Sequence, residues 1–171
     1  MLKLITVRSS DIDSIRIWRN EQIAVLRQNK PIKRRQQIKY FKRNVWNQLN
    51  HPEPTQILFA LLHKEELIGY GGLVHISWQD RKAEISFLLN SKYNDQSAEY
   101  MEVFTSYLKL ITEISFRHLN LHRIFTETWI YRQNHISALE KTNFIKEGVL
   151  VDNVLKNGQY VSSVIHSKIK D

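Results

Sequence analysis

RKAEISFLLNSKYNDQSAE, residues 81–99, passes from a strand to a helix through a polar turn. Ala83 to Leu89 is rich in apolar and aromatic residues and reads as a strand, with one carboxylate, Glu84, set among apolar neighbours. Asn90 to Gln96 is polar and reads as a turn, and Asp95 or Ser97 caps a helix that begins there. Two chemistries follow from this order. A carboxylate on a buried strand is a candidate general base, because desolvation moves its pKa towards working pH. The first amides of a helix lack internal partners and attract phosphate.

Towards the C-terminus, the helix is expected over about Ser97–His118, with Met101, Phe104, Leu108, Ile111 and Ser115 on one stripe. Asn120 stands where a left-handed turn ends it. His122–Ile130 reads as a strand and Ile136–Thr142 as a short helix. Val149–Leu155 and Gln159–Ile169 read as a hairpin across Asn157-Gly158.

Towards the N-terminus, Leu67–Trp78 and Ile57–Leu62 read as strands that join the first in an antiparallel meander. Three of the chain's five glycines, Gly69, Gly71 and Gly72, fall in one of them and suggest a bend, a bulge or a close backbone approach. Lys33–Leu49 reads as a helix with Ile38, Phe41, Val45 and Leu49 on its apolar stripe. Asp11–Asn20 reads as another, capped by Ser10, and Leu2–Val7 as a first strand. The order is β-α-α-β-β-β-α-β-α-β-β, a mixed α/β or α+β fold. A length of 171 residues without linker or repeat suits one domain over 1–171.

The absence of cysteine excludes a disulfide framework and a thiolate nucleophile. No run of about 18 apolar residues is present, so no membrane span is expected, and a cytoplasmic enzyme is the default. The formal charge is +8, and Lys30–Arg43 holds seven cations and no acid. This balance favours anionic partners. The aromatics sit at core-like spacing and not among the basic run, which argues against an RNA-binding module. His118 and His122 have metal-ligand spacing but no third ligand nearby, so no metal is expected.

The order of elements, together with LIGYGGLVHI, AEISFLL and LEKTNFIKEG, resembles the GNAT superfamily of acyl-CoA N-acyltransferases over nearly the whole chain. The last segment is similar to the branch of ribosomal-protein and amino-sugar acetyltransferases. IRIWRNEQIAVLRQ with QQIKYF looks closest to enzymes that act on nucleotide-linked amino sugars. The resemblance implies a GNAT-like, largely antiparallel central sheet with helices on both faces. It implies acetyl-CoA as acyl donor and direct attack by a primary amine in a ternary complex. Glu84 then stands as general base, and the backbone amide of Leu88 or Leu89 as oxyanion donor. Phe87, Leu88, Leu89, Lys92, Asn94, Gln96, Ser97, Ala98 and Asn134 would hold the donor. Trp18, Arg19, Asn20, Arg27, Gln28 and Glu127 would face the acceptor, with Glu127 otherwise paired to Arg123 or another cation.

Two departures stand out. The family's pyrophosphate loop carries glycines, whereas Asn94–Glu99 has none and brings Asp95 and Glu99 to the helix start. No tyrosine lies where many members place the acid for the leaving thiolate; Tyr131 is the substitute, unless it is packed at the strand end, and Asn143 replaces a usual glycine. Alternatives are a protein N-terminal or lysine acetyltransferase and a non-catalytic acyl-CoA-binding protein. The basic run favours an anionic acceptor, and an exposed apolar C-terminal hairpin would give a route to a homodimer.

Overall fold

Eleven regular elements follow one another in the computed structural model, which describes residues 2–93 and 96–170. They are β1 (Leu2–Thr6), α1 (Ile12–Glu21), α2 (Arg34–Tyr40), β2 (Ile57–His63), β3 (Glu66–Ser77), β4 (Lys82–Leu89), α3 (Ala98–Glu113), β5 (Arg123–Trp129), α4 (Gln133–Lys141), β6 (Ile145–Lys156) and β7 (Gln159–Ile169). The expected order holds throughout. The strands are hydrogen-bonded as β1-β2-β3-β4-β5-β7-β6. The β4–β5 pair is parallel, and β1–β2, β2–β3, β5–β7 and β6–β7 are antiparallel. The chain forms two compact units, Met1–Ile76 with Ile85–Lys92, and Ser77–Glu84 with Tyr93–Asp171.

In the first unit, α1 buries Ile12, Ile15 and Trp18 against Val7, Phe41, Val45, Leu58, Ala60, Tyr70 and Leu88. Asp11, not Ser10, organises the start of α1. It is buried and accepts the Arg8 amide at 2.8 Å and the Arg8 guanidinium at 2.9 Å. The second helical run reaches Gln48, close to its expected end, but changes geometry on the way. After Tyr40 the chain widens into a π turn at Phe41–Val45 and tightens at Trp46–Gln48. The Trp46 indole donates to the Val7 carbonyl at 3.0 Å, and the wider turn brings it there while Phe41 and Val45 stay buried. Leu49 is thereby left exposed. The glycines of β3 answer a close approach: a Cβ on Gly72, whose φ is +152°, would lie 2.1 Å from the Ile57 carbonyl oxygen. Lys64 and Glu65 close the β2–β3 hairpin with φ of 48° and 66°, a turn usually made with Asn or Gly.

In the second unit, α3 runs on into a π turn, Ile114–His118, so the helical run ends at His118 as the stripe suggested. The Ser115 hydroxyl bonds the Ile111 carbonyl at 2.7 Å there. Asn120 takes the expected left-handed conformation, φ +51°, and its carbonyl and side chain accept the Arg81 guanidinium at 2.9 and 3.0 Å. Helix α4 starts at Gln133 rather than Ile136, and β6 starts at Ile145 rather than Val149. Asn157 and Gly158, φ 50° and 81°, make the predicted hairpin turn. Asn143 holds φ +63°, so this position does need a left-handed residue, and asparagine supplies it in place of glycine.

Candidate active site

The parallel pairing of β4 with β5 sets Lys82 beside Arg123, Ala83 beside Ile124 and Glu84 beside Phe125. Neighbours across a pleated sheet share a face, and successive residues alternate. Glu84, Phe125 and Glu127 therefore project from one face, while Ala83 and Ile124, both fully buried, project from the other. Glu84 is 8 % exposed, a carboxylate largely withdrawn from water. Glu127 accepts the Ser163 hydroxyl at 2.7 Å and the Asn153 amide at 2.8 Å. Its expected pairing with Arg123 is replaced. Arg123 instead grips Glu147 with two bonds of 2.5 Å, and Ser167 donates to the same carboxylate at 2.6 Å. The Arg123 and Ser167 donors hold the Glu147 carboxyl down at about 2.

In the first unit, β4 continues through Phe87, half-buried, to Leu88 and Leu89, both buried. The Leu89 carbonyl accepts the Gln22 amide at 2.7 Å, a tie between α1 and β4 that no local pattern announces. Trp18 is in the core. Asn20 clasps the backbone of Ile32 from both sides, at 2.8 and 3.0 Å, and also accepts the Gln28 amide at 2.9 Å. Gln28 in turn accepts from Arg19 at 3.1 Å. Asn20 and Gln28 thus fasten the loop after α1. Arg19, with Lys30, Gln36 and Tyr40, lines a cavity of about 410 Å³. Arg27 is exposed. All seven cations of Lys30–Arg43 are exposed as well.

Lys92 is exposed at the end of the first unit, its amide donating to the Asn90 side chain at 3.1 Å. Asn94 lies outside the described residues. In the second unit, Gln96 is exposed and the Ser97 hydroxyl caps α3 by accepting the Tyr100 amide at 3.1 Å. The amides of Ala98 and Glu99, in the exposed first turn, are the donors a phosphate oxygen would meet. A glycine-free loop can therefore still offer backbone donors, and the residues fit a diphosphate-bearing donor at the start of α3. Asn134 sits half-buried in the first turn of α4. Tyr131 is 48 % exposed, not packed at the strand end.

One buried polar group had no sequence signal beyond its residue types. The Arg132 guanidinium donates to the Tyr100 hydroxyl at 2.9 Å, and that hydroxyl meets His135 Nδ1 at 2.8 Å. The His135 ring stacks on Phe104 with centroids 3.9 Å apart. Burial, then the charge of Arg132, pushes the His135 ring well below the ordinary histidine range. Among the described residues no group of three or more His, Cys, Asp or Glu could hold a metal ion. No helix among them is long and apolar enough to cross a membrane.

Comparison with known proteins follows the same lines. The family described as "Acetyltransferase (GNAT) domain" matches residues 4–165. The spermidine N(1)-acetyltransferase of Vibrio cholerae serotype O1 is 25% identical over 97 residues, 57% of this chain and 53% of that protein. The match thus spans about half the length of that curated relative. The crystal structure of the V. cholerae spermidine N-acetyltransferase in complex with CoA and spermine superposes with a TM-score of 0.82 at 20% identity, covering 99% of this chain and 95% of the other. A dodecameric structure of that enzyme gives 0.80 at 20% identity, covering 99% and 94%. The chain belongs to the GNAT acetyltransferases, the family whose acyl donor is acetyl-CoA.

Proposed function

We propose that this protein transfers an acetyl group from acetyl-CoA to a primary amine, with Glu84 as general base. The observation that carries this is a nearly buried carboxylate at the last residue pair of the β4–β5 ladder in a GNAT chain. Acetyl-CoA supplies the acetyl group as an activated thioester. An amine arrives at neutral pH as an ammonium and cannot attack until it loses a proton. Glu84 takes that proton, directly or through water. The backbone amide of Leu88 or Leu89 donates to the charge that develops on the acetyl oxygen. Tyr131, exposed beyond β5, returns a proton to the departing thiolate. Phe87 lines the path of the pantetheine, and Asn134 and the first turn of α3 hold the donor's polar end. The 171 residues act as one catalytic domain, in the cytoplasm, where acetyl-CoA is at hand.

For the acceptor we favour an amine on an anionic carrier, such as a nucleotide-linked amino sugar. The seven exposed cations of Lys30–Arg43 and the cavity beside Arg19 and Lys30 support it. A polyamine is the second reading, supported by the relatives' substrates and by the two carboxylates that share a face, Glu84 and Glu127. Self-association would use the β6–β7 hairpin. Ile145, Val151, Leu155 and Tyr160 are exposed there.

The test is release of CoA on mixing the protein and acetyl-CoA with spermidine, a UDP-linked amino sugar and a peptide with a free N-terminus. Turnover of the sugar above the others supports the first reading. Preference for spermidine replaces it with the second. A melting temperature unmoved by millimolar acetyl-CoA would overturn donor binding itself.

A further inference from the structure

Helix α1 ends against the exit of β4, and two consecutive residues make the contact. The Gln22 side-chain amide donates to the Leu89 carbonyl at 2.7 Å, and the Ser91 hydroxyl donates to the Glu21 carboxylate. The backbone on either side of Leu89 fixes where its own groups point. The Asn90 amide donates to the Ile68 carbonyl of β3 at 2.8 Å. The N–H and C=O of a trans peptide point in opposite directions, so the Leu89 carbonyl, at the other end of that peptide, points away from β3. That is where Gln22 meets it. The Leu88 carbonyl lies on the β3 side, where a Cβ on Gly69 would come within 2.7 Å of its oxygen. By the same rule the Leu89 amide points away from β3, while the Leu88 amide, one peptide earlier, points towards it. Among the described residues β5 pairs with β4 only from Lys82 to Glu84, so no β5 residue pairs with Leu89 on that side.

We infer that Gln22 is a positioning residue for acetyl transfer, and that the donor it sets against the acetyl oxygen is the Leu89 amide and not that of Leu88. This rests on the reading of the protein as an acetyltransferase whose oxyanion donor lies at the end of β4. An open strand edge offers a ligand both N–H and C=O groups. At Leu89 the carbonyl is already taken by Gln22, so the amide is the group that this residue presents. The peptide after Leu89 is held at both ends, its carbonyl by the end of α1 and its amide by β3. A donor fixed before the reaction needs no reorganisation as charge develops. In the step itself the deprotonated amine nitrogen bonds to the thioester carbon, and the C=O π pair moves onto the oxygen that accepts from Leu89. When that pair returns, the C–S bond breaks and the sulfur leaves with its electrons.

The test is difference infrared spectroscopy of acetyl-CoA, isotope-labelled at its carbonyl carbon, bound to the full chain. Melting temperatures and steady-state kinetics accompany it, with spermidine or a UDP-linked amino sugar, whichever the wild type acetylates. Binding should move the labelled carbonyl stretch to lower frequency, because a hydrogen bond to the oxygen weakens the C=O bond. Gln22→Ala should lose about half of that shift and lower kcat about tenfold, less than the roughly 10²–10³ for loss of a whole oxyanion donor, with the acetyl-CoA KM within about twofold. Ser91→Ala loosens the neighbouring contact without touching Leu89, so it should lower the melting temperature and leave the stretch in place. Leu89→Pro removes the amide and no bond to β3; beside Leu89→Ala as its packing control, it should abolish the shift. A shift unmoved by Gln22→Ala, or moved as much by Ser91→Ala, overturns the role of Gln22. A shift that survives in Leu89→Pro overturns the assignment to Leu89. A wild type that acetylates an amine yet shows no shift overturns the inference and leaves the function standing. One that does not bind acetyl-CoA overturns both.

Discussion

The basic face of α2 and the carboxylate face of β5 carry opposite charge and keep it in opposite ways. On α2 and the turn after it, Arg34, Arg35, Lys39, Lys42 and Arg43 all stand in solvent, and the ion pair there, Arg34 with Asp13, is a loose 3.7 Å. On β5 and its neighbours, Glu84 is nearly buried, Glu127 is fixed by Ser163 and Asn153, and Arg123 closes on Glu147. Charges left in water attract partners over roughly a Debye length and contribute little to folding. Charges held by short bonds act at one place and are costly to disturb. The first region keeps its charge in solvent, and the second keeps it in fixed hydrogen bonds.

The sharpest way to break this contrast is Glu84→Gln. It should lower kcat by about 10²–10³, roughly 3–4 kcal/mol of transition-state stabilisation, with the acetyl-CoA KM little changed. Unaltered turnover would remove Glu84 as base. Next comes Tyr100→Phe, which strips Arg132 and His135 of their shared hydroxyl. Denaturant titration should show a loss of about 1–3 kcal/mol, whereas a change within error would mean that the held polar groups matter no more than the solvated ones.

A third test uses pH. The folded His135 ring resists protonation below its unfolded value near 6.5, so the unfolded chain binds more protons. Stability should therefore be full above that value and fall as pH drops through it. His135→Asn, which keeps an acceptor and removes the titration, should flatten the slope of melting temperature between pH 7 and 5. An equal slope in both proteins would assign the loss elsewhere. The smallest effect on stability is expected from Lys39→Glu/Lys42→Glu/Arg43→Glu. Its melting free energy should stay within about 0.5 kcal/mol per site, while the KM for an anionic acceptor rises severalfold at low salt and less at high salt. A large loss of stability there would mean that this face is packed and not merely solvated.

Much of the fold was legible because its signals are local. Alternation marked β4, and the Ile12, Ile15 and Trp18 stripe marked α1. Asn157-Gly158 marked the hairpin because few other dipeptides accept positive φ twice. Glu84 was legible for the same reason, as a carboxylate in an apolar strand. The helix geometry was less so. The π turns at Phe41–Val45 and Ile114–His118 answer to tertiary bonds such as Trp46 to Val7, and a periodic stripe cannot announce them. Arg19, Asn20 and Gln28 were grouped correctly as a cluster, but Asn20 and Gln28 are used to tie a loop, a distinction that needs the partners' positions.

The amino-acid sequence by itself determined the order of elements, the strand that bears Glu84 and the family to which the chain belongs, because these depend on periodicity, turn chemistry and local motif. Tertiary structure alone decided which partner each charge takes. Arg123 closes on Glu147 and not on Glu127, Asn153 reaches Glu127 through an irregular strand, and Arg132 finds Tyr100 beside His135. Those choices join residues 20 to 35 positions apart, and short-range hydrogen bonds form only after the sheet register has brought their atoms within about 3 Å.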